Sequence, residues 1–190
     1  GMEIIAVLII LYLMIYIQHV LVHVIPFFWR FHIVHHSYLD LDVSSGLRFH
    51  PIEIMGSMLF KIGLVFALGP APIAVVIFEA VLNGMSQFSH SNITLPDKLD
   101  RLLRFLIVTP DMHRIHLSIE KMETSSNFGF NLSIWDRFLG TYIQDAKREQ
   151  PKITIGVDQF RTSEEVSLKN LLLMPFKVIP RNYSLFPEKD

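Results

Sequence analysis

Residues 19–36 read HVLVHVIPFFWRFHIVHH, and this stretch decides the fold because it joins a long apolar run to a dense set of histidines. As an α-helix, the run from Met2 to about His23 would be about 33 Å long, at about 1.5 Å per residue. That length is enough to cross a hydrocarbon core of about 30 Å. The sequence therefore predicts a membrane helix over residues 2–23, with His19 and His23 near its end.

A second apolar region, residues 54–88, is interrupted by the turn sequence Gly69-Pro-Ala-Pro72. Glycine and proline separate helices at such points, so the region predicts a membrane helical hairpin that enters and returns. The segments on either side of a hairpin lie on the same side of the membrane. Basic residues in those segments indicate that this side is the cytoplasm. They are Arg30, Arg48, Arg101, Arg104, Arg114 and Lys121.

Composition supports a membrane protein, since 51% of the residues are hydrophobic and the mean hydropathy is +0.38. Of the 17 basic and 18 acidic residues, eight lie in residues 1–96 and the other 27 in residues 97–190. The formal net charge is −1 and no basic run is present, so the chain lacks the features of a nucleic-acid-binding protein. The absence of cysteine excludes disulfides, thiolate zinc sites and iron–sulfur clusters, and leaves histidine and carboxylate as the strong metal ligands.

Seven of the nine histidines fall into sets with helical spacing. Such sets place their side chains on one helix face, and several helices that end together can enclose a metal pair. A single histidine is more often a hydrogen-bonded polar residue than a metal ligand. For His50 the two interpretations are equally good. Seven clustered imidazoles beside membrane segments favour metal binding, because unpaired buried imidazoles are costly. The sets are His19 and His23, then His32, His35 and His36, and then His113 and His116.

Glu79 and Asn83 are polar residues one turn apart in a helix that is otherwise suited to lipid. Together with His50 they are predicted to lie behind the metal ligands or in the wall of the site. A role in packing the hairpin is nearly as good an interpretation of Glu79 and Asn83.

We predict a single all-α domain over residues 1–190, an integral-membrane helical bundle with a cytosolic histidine-rich cap that holds a metal pair. Its parts are the membrane helix 2–23, the membrane helical hairpin 54–88, the cytosolic cap 97–142 and the polar C-terminal tail 143–190. Within the cap, residues 97–108 are predicted to form a helix on the surface of the membrane or the domain. Residues 153–155 of the tail are a candidate strand.

The histidine motifs His19-x3-His23, His32-x2-His35-His36 and His113-x2-His116 resemble the histidine boxes of the fatty acid hydroxylase and sterol desaturase superfamily, in its bacterial branch. The resemblance extends through GLRFHPIE at residues 46–53, FSHSN at residues 88–92, NFG at residues 127–129 and WDRFLGTY at residues 135–142. It covers most of the chain.

This resemblance implies an O2-dependent membrane oxidoreductase that hydroxylates or desaturates a lipid, a fatty acyl chain or a sterol-like molecule. It implies two non-haem iron ions as cofactors, O2 as co-substrate, and electrons from a separate reductase, cytochrome or ferredoxin. The expected location is the bacterial inner membrane or its equivalent, with the metal site facing the cytoplasm, and assembly into a homo-oligomer is left open. The implied iron ligands are His19, His23, His32, His35, His36, His90, His113 and His116.

One position departs from the family pattern. The third box usually ends in two histidines, and here Leu117 follows His116. This difference supports an alternative, a catalytically silent metal-binding membrane homologue with a structural or regulatory role. A haem-binding or ion-transporting protein is a further alternative, although haem ligation uses lone facing histidines and not dense triplets.

Overall fold

The structure is a computed structural model, and it describes residues 1–177 of the chain. Within these residues the regular structure is helical, with no β-strand, so the prediction of an all-α fold is confirmed. The α-helices are α1 (Met2–Val24), α2 (Pro26–His36), α3 (Pro51–Leu68), α4 (Pro72–Ser89), α5 (Asp97–Leu103), α6 (Pro110–His116), α7 (Lys121–Thr124), α8 (Ile134–Leu139) and α9 (Leu168–Leu173).

Three of these helices, α1, α3 and α4, are long and apolar enough to cross a membrane. Their mean hydropathies are 2.5, 1.6 and 1.2, and α3 contains no buried residue. Because their apolar side chains face outward, the medium around them must be apolar as well. The fold is a membrane helical bundle, as predicted, and Gly69 ends α3 with a φ of 58° that favours glycine.

Helix α4 packs against α1 through a small apolar core made of Leu11, Ile15, Phe78 and Leu82. Helix α3 lies at the edge of this core, to which it contributes the partly buried Leu64, and it contains no fully buried residue. The space between α3 and the α1–α4 pair therefore remains open for a cavity.

Helix α2 follows α1 after a sharp break at Ile25, which has an extended backbone, and Pro26, which occupies the first position of α2. The break directs α2 back over the end of α1, so that the histidines of both helices meet. The opposite side of α2 is covered by the C-terminal part of the chain, where Ile33 and Val34 pack with Val157.

Helix α5 is shorter than predicted, because it ends at Leu103 and not at residue 108. The chain turns at Arg104, whose side chain forms a buried ion pair with Asp100 at 2.6 Å and donates a hydrogen bond to Thr109. Leu99 and Leu102 are exposed instead. The apolar face of α5 thus points outward, which fits the predicted position on a membrane surface.

The segment after α8 is held to the cap by backbone hydrogen bonds without forming a strand. Ile155 pairs with Ser118 as an isolated bridge, so the predicted strand at residues 153–155 is wrong. Short 3₁₀ turns occupy Gln150–Lys152 and Met174–Phe176. Residues 178–190 of the predicted tail lie outside the described residues.

Candidate metal centre

Eight histidines from four parts of the chain converge at one end of the membrane helices, and all of them are buried. Their ring nitrogens form two groups, and within each group the candidate ligand atoms lie within 4.8 Å of one another. The five-histidine group consists of His19, His23, His32, His36 and His116. The three-histidine group consists of His35, His90 and His113.

The adjacent residues His35 and His36 belong to different groups. Successive residues of a helix point about 100° apart, so the two neighbours at the end of α2 turn toward different partners. Nε2 of His36 lies 3.2 Å from Nε2 of His23, and Nε2 of His35 lies 3.3 Å from Nε2 of His90. Helix α2 therefore lies between the two groups and contributes to both.

Backbone carbonyls and one carboxylate orient the rings of the five-histidine group. Nδ1 of His19 donates to the Phe128 carbonyl at 2.6 Å, and Nδ1 of His116 donates to the Ser126 carbonyl at 2.7 Å. Nδ1 of His32 lies 2.5 Å from the Glu53 carboxylate. A ring that donates from Nδ1 keeps its lone pair on Nε2, and here these Nε2 atoms are buried without a hydrogen-bond partner.

The three-histidine group is oriented in the same way. Nδ1 of His90 donates to the Ser86 carbonyl at 2.8 Å, and Nδ1 of His35 donates to the Arg48 carbonyl at 3.3 Å. The Nε2 atoms of these two rings then face each other with their lone pairs and cannot hydrogen-bond together. Nε2 of His113 lies 3.1 Å from Nε2 of His90 and completes the group.

These groups fit a transition-metal ion. Imidazole nitrogens bind such ions at about 2.0–2.1 Å, so neighbouring ligands of one ion lie about 3.0–3.4 Å apart. The closest pairs, at 3.1, 3.2 and 3.3 Å, have this spacing. A cation also provides the partner that the inward-facing lone pairs otherwise lack, and each buried unpaired nitrogen would cost about 1–3 kcal/mol.

The histidines outside the membrane helices are held in the neutral form that binds metals. Burial lowers the pKa of His116 to about 3 and that of His90 to about 4, although a carbonyl acceptor opposes the shift at each ring. Burial, followed by the neighbouring imidazoles, also holds the pKa of His113, His35 and His36 well below the ordinary value. Because neutral imidazole is the metal ligand, no proton has to be displaced at neutral pH.

Asp136 supports the site from behind, a role that the sequence did not suggest. Its buried carboxylate accepts hydrogen bonds from the backbone N–H groups of Phe128 and Gly129 at 2.7 and 2.8 Å and from the Thr141 hydroxyl at 2.7 Å. Burial raises the pKa of Asp136 to about 6, against the effect of these donors. The carboxylate fixes the loop whose Phe128 carbonyl orients His19.

Leu117, at the position of the missing histidine, is fully buried in an apolar cluster with Tyr38, Leu41 and Ile155. It lies four residues after His113, so the two side chains start from the same face of α6 and its C-terminal end. The ring of Tyr38 in turn lies 5.9 Å from that of His35. Leu117 therefore packs beside the three-histidine group and offers no ligand atom to it.

A cavity of about 380 Å³ leads from the five-histidine group into the space between α1, α3 and α4. His19 and His32 border its inner end, and Glu79 and Asn83 line its wall. Apolar side chains, among them Ile15 and Met58, form most of the remaining surface. The cavity connects candidate metal ligands with the region that the membrane surrounds.

His50 lies outside both histidine groups and does not border the cavity. Its Nδ1 accepts from the backbone N–H of Ile52 and so caps α3, while Nε2 lies 3.3 Å from the Leu172 carbonyl. Glu53, three residues after His50, belongs to the same sequence motif, which by itself indicated no role for it. In the structure Glu53 contacts His32 directly. The useful signal was a lone carboxylate in the first turn of an apolar helix.

The chain is thus a membrane helical bundle that buries two groups of histidines, a candidate metal site, beside an apolar cavity. The chain belongs to the fatty acid hydroxylase family, because the family model described as Fatty acid hydroxylase matches residues 4–141. That range contains all eight candidate ligands. No solved structure matches the chain.

Several curated relatives are similar to the chain. Ornithine lipid hydroxylase OlsE of Rhizobium tropici is 38% identical over 132 residues, which cover 67% of this chain and 38% of the relative. Alkylglycerol monooxygenase of Homo sapiens is 28% identical over 142 residues, covering 73% of this chain and 29% of the relative. The enzyme of the same name from Xenopus tropicalis is 28% identical over 145 residues, covering 75% and 31%. The matched region thus spans well under half the length of these relatives.

Proposed function

We propose that this protein is an O2-dependent membrane oxidoreductase that hydroxylates a lipid at a di-iron centre held by the two histidine groups. The observation that carries the proposal is the contact of a membrane-embedded apolar cavity with the inward-facing nitrogens of His19 and His32. The relatives named as a lipid hydroxylase and as monooxygenases support the same reaction class. Desaturation begins with the same hydrogen abstraction and is the alternative reaction at such a site.

Iron is the metal that agrees best with both the ligands and the reaction class. The described ligand set is made of neutral nitrogens with no thiolate, and imidazole suits iron as well as zinc and copper. Zinc has no redox chemistry, whereas a monooxygenase reaction needs a metal that exchanges electrons. When bound, the two irons supply the activation of O2 and the oxidation of a lipid C–H bond.

The protein's own residues bind the metal, orient its ligands and shield the substrate from water. The carbonyls of Phe128 and Ser126 and the carboxylate of Glu53 hold ligand rings in one orientation, which reduces the rearrangement needed on metal binding. The apolar part of the cavity wall takes the hydrocarbon chain and keeps water away from the reacting carbon. Electrons come from a separate reductase, cytochrome or ferredoxin, which approaches from the side where α1 and α4 end.

We place the protein in the bacterial inner membrane or its equivalent, with the histidine groups on the cytoplasmic side. This orientation is supported by Arg48, Arg101 and Arg114, which lie on the same side of the hairpin as the histidines. His50, Glu79 and Asn83 remain proposals as supporting residues: His50 through the start of α3, and the other two as wall of the cavity.

Two measurements on detergent-purified protein test the proposal. Elemental mass spectrometry should find close to two irons per chain after loading and removal of free metal. With a chemical reductant and 18O2, incubation with bacterial lipids should then introduce one 18O atom into a lipid product. His19→Ala, which removes a ligand at the cavity, should abolish the product, and a protein that binds iron but never labels a lipid would contradict the proposal.

The alternative is a catalytically silent metal-binding homologue with a structural or regulatory role, and Leu117 is the observation in its favour. With only three histidines, the group of His35, His90 and His113 binds its ion more weakly than the five-histidine group. A protein that holds one metal per chain and gains lipid oxidation only as Leu117→His would support the silent homologue. Oxidation by the unmodified chain would exclude it.

A further inference from the structure

A pair of opposite charges faces the cavity at the middle of the membrane hairpin. Lys61 is ten residues from the start of α3 and seven from its end, and Glu79 is seven residues from the start of α4 and ten from its end. The antiparallel helices therefore hold both charges at the same depth. Nζ of Lys61 lies 2.7 and 2.9 Å from the two carboxylate oxygens of Glu79.

Charges at this depth are unfavourable in a membrane and are kept where they line a cavity or bind a ligand. Lys61 and Glu79 both line the cavity, with 14% and 36% of their side chains exposed. Helix α3 has no buried residue, so the pair is a bridge across the wall and not part of a packed core.

Further polar side chains connect this pair with the histidines. On α3, Glu53, Ser57 and Lys61 follow one another at intervals of four residues, and all three border the cavity. On α4, Asn83 borders the cavity one turn beyond Glu79 and donates to the Glu79 backbone carbonyl at 2.8 Å. The cavity thus has a polar strip along a wall that is otherwise apolar.

The hydrogen-bonding capacity of the pair defines what it binds. An ammonium group has three N–H donors; Lys61 donates a hydrogen bond to Oε2 of Glu79 at 2.9 Å, and Oε1 of Glu79 lies within ion-pair distance at 2.7 Å. At least one N–H donor of Lys61 therefore requires a further oxygen acceptor. Because the Lys61–Glu79 pair is neutral overall, an anionic group would leave a net charge in an apolar region, whereas a neutral oxygen would not.

We propose that Lys61, held by Glu79, binds a neutral oxygen of the lipid, that is a hydroxyl, an ether or a carbonyl of an ester or amide. This specificity site rests on the proposed function, since it assigns the cavity to a lipid substrate. Lys61 lies eight residues beyond Glu53, the residue that contacts His32, which is about 12 Å along the helix. The site therefore selects lipids that can place an oxygen beside Lys61 while another part of the chain lies at the histidine end of the cavity.

The test measures binding and does not depend on turnover. Protein in nanodiscs is titrated with octadecan-1-ol or octadecane, which differ by one neutral hydroxyl, in competition with a radiolabelled lipid. The unmodified protein should bind the alcohol on the order of tenfold more tightly than the alkane, as expected for a hydrogen bond from a charged donor. Lys61→Met should reduce the affinity for the alcohol to that for the alkane, and should leave the affinity for the alkane unchanged.

Two further variants keep the result clear. Lys61→Met leaves Glu79 without its partner and can weaken the fold, so Lys61→Met/Glu79→Met removes both charges and should show the same loss of discrimination. Lys98→Met, at an exposed lysine on α5, is the matched control and should retain the tenfold preference.

A folded double variant that still prefers the alcohol tenfold would overturn the proposal and leave the pair as a link between α3 and α4. Tighter binding of octadecanoate than of the alcohol by the unmodified protein would also overturn it, and a failure of lipid oxidation alone would affect only the proposed function.

Discussion

The carboxylate of Glu53 lies 2.5 Å from Nδ1 of His32, so the first turn of α3 fixes the orientation of a candidate metal ligand on α2. The second carboxylate oxygen of Glu53 is buried without a hydrogen-bond partner, and Glu53 borders the cavity. This contact couples the membrane hairpin to the five-histidine group.

Glu53→Ala should lower the affinity of the five-histidine group for metal by about 10- to 100-fold, because it removes the partner that orients His32. The measurement is a titration of metal-stripped protein with Fe²⁺ under anaerobic conditions. Glu149→Ala, at an exposed glutamate, is the control and should bind as the unmodified protein does. Equal affinities for the two variants would show that His32 is held in place by packing alone.

Leu117→His should strengthen metal binding at the three-histidine group, because a fourth imidazole would start from the same helix face as His113. We expect the second equivalent of metal to dissociate more slowly from this variant than from the unmodified protein during prolonged dialysis. Elemental mass spectrometry at intervals during dialysis measures both rates.

Leu117→Met is the control for this experiment, because it keeps the volume of the side chain in the cluster with Tyr38 and Ile155. It should leave the metal content unchanged. If the unmodified protein loses its second equivalent as slowly as Leu117→His does, the three-histidine group needs no fourth imidazole and the expected asymmetry is wrong.

Asp136→Asn should destabilise the cap by about 2–4 kcal/mol, because an amide cannot accept all three hydrogen bonds that the buried carboxylate accepts. The loop that carries the Phe128 carbonyl then loses its support, so we also expect weaker retention of metal near His19. Thermal unfolding in detergent, with metal content measured in parallel, checks both effects. Asp145→Asn, at an exposed aspartate, should change neither.

Acidification should destabilise the metal-free protein. The folded-state pKa values of His90 and His116 are about 4 and about 3, whereas unfolded histidine titrates near the ordinary value of 6.5. Above about pH 6.5 both states are neutral and stability does not depend on these rings. Below it the unfolded state binds protons that the folded state does not, so stability falls until the folded rings also titrate, near pH 3–4.

Thermal unfolding of metal-stripped protein at pH 7.5, 6 and 5 measures this effect, and the midpoint should decrease at each step below 6.5. His116→Gln removes one of the titrating rings and should give a shallower decrease. Bound metal should be released over the same range, because protons compete for the Nε2 atoms. A midpoint that stays constant from pH 7.5 to 5 would contradict the assignment of neutral buried rings.

Much of the site was predictable from the spacing of residues, because helical periodicity is local. The histidine sets at positions 19 and 23, 32 to 36, and 113 and 116 lie on α1, α2 and α6, as their spacing indicated. The predicted spans 2–23 and 54–88 agree with the three apolar helices to within a few residues. The resemblance to the fatty acid hydroxylase family rested on these same motifs, and the family model confirms it.

The sequence was less informative where a helix ended for a tertiary reason. The apolar spacing of residues 97–108 continues past Leu103, but the buried pair of Asp100 and Arg104 needs the chain to turn toward Thr109. Similarly, Ile155 has the β-branched character of a strand residue and finds only one partner, Ser118. In both places long-range contacts override the local pattern.

By itself the sequence determined that the chain has membrane helices, that histidine is its main candidate metal ligand, and which histidines share a helix face, because these follow from composition and helical repeat. Only the tertiary structure decided that His36 belongs with His23 while its neighbour His35 belongs with His90. It also decided that Leu117 enters an apolar cluster, and that Lys61 meets Glu79 across the cavity. These relationships depend on how helices far apart in the chain cross and turn, and no local spacing specifies that geometry.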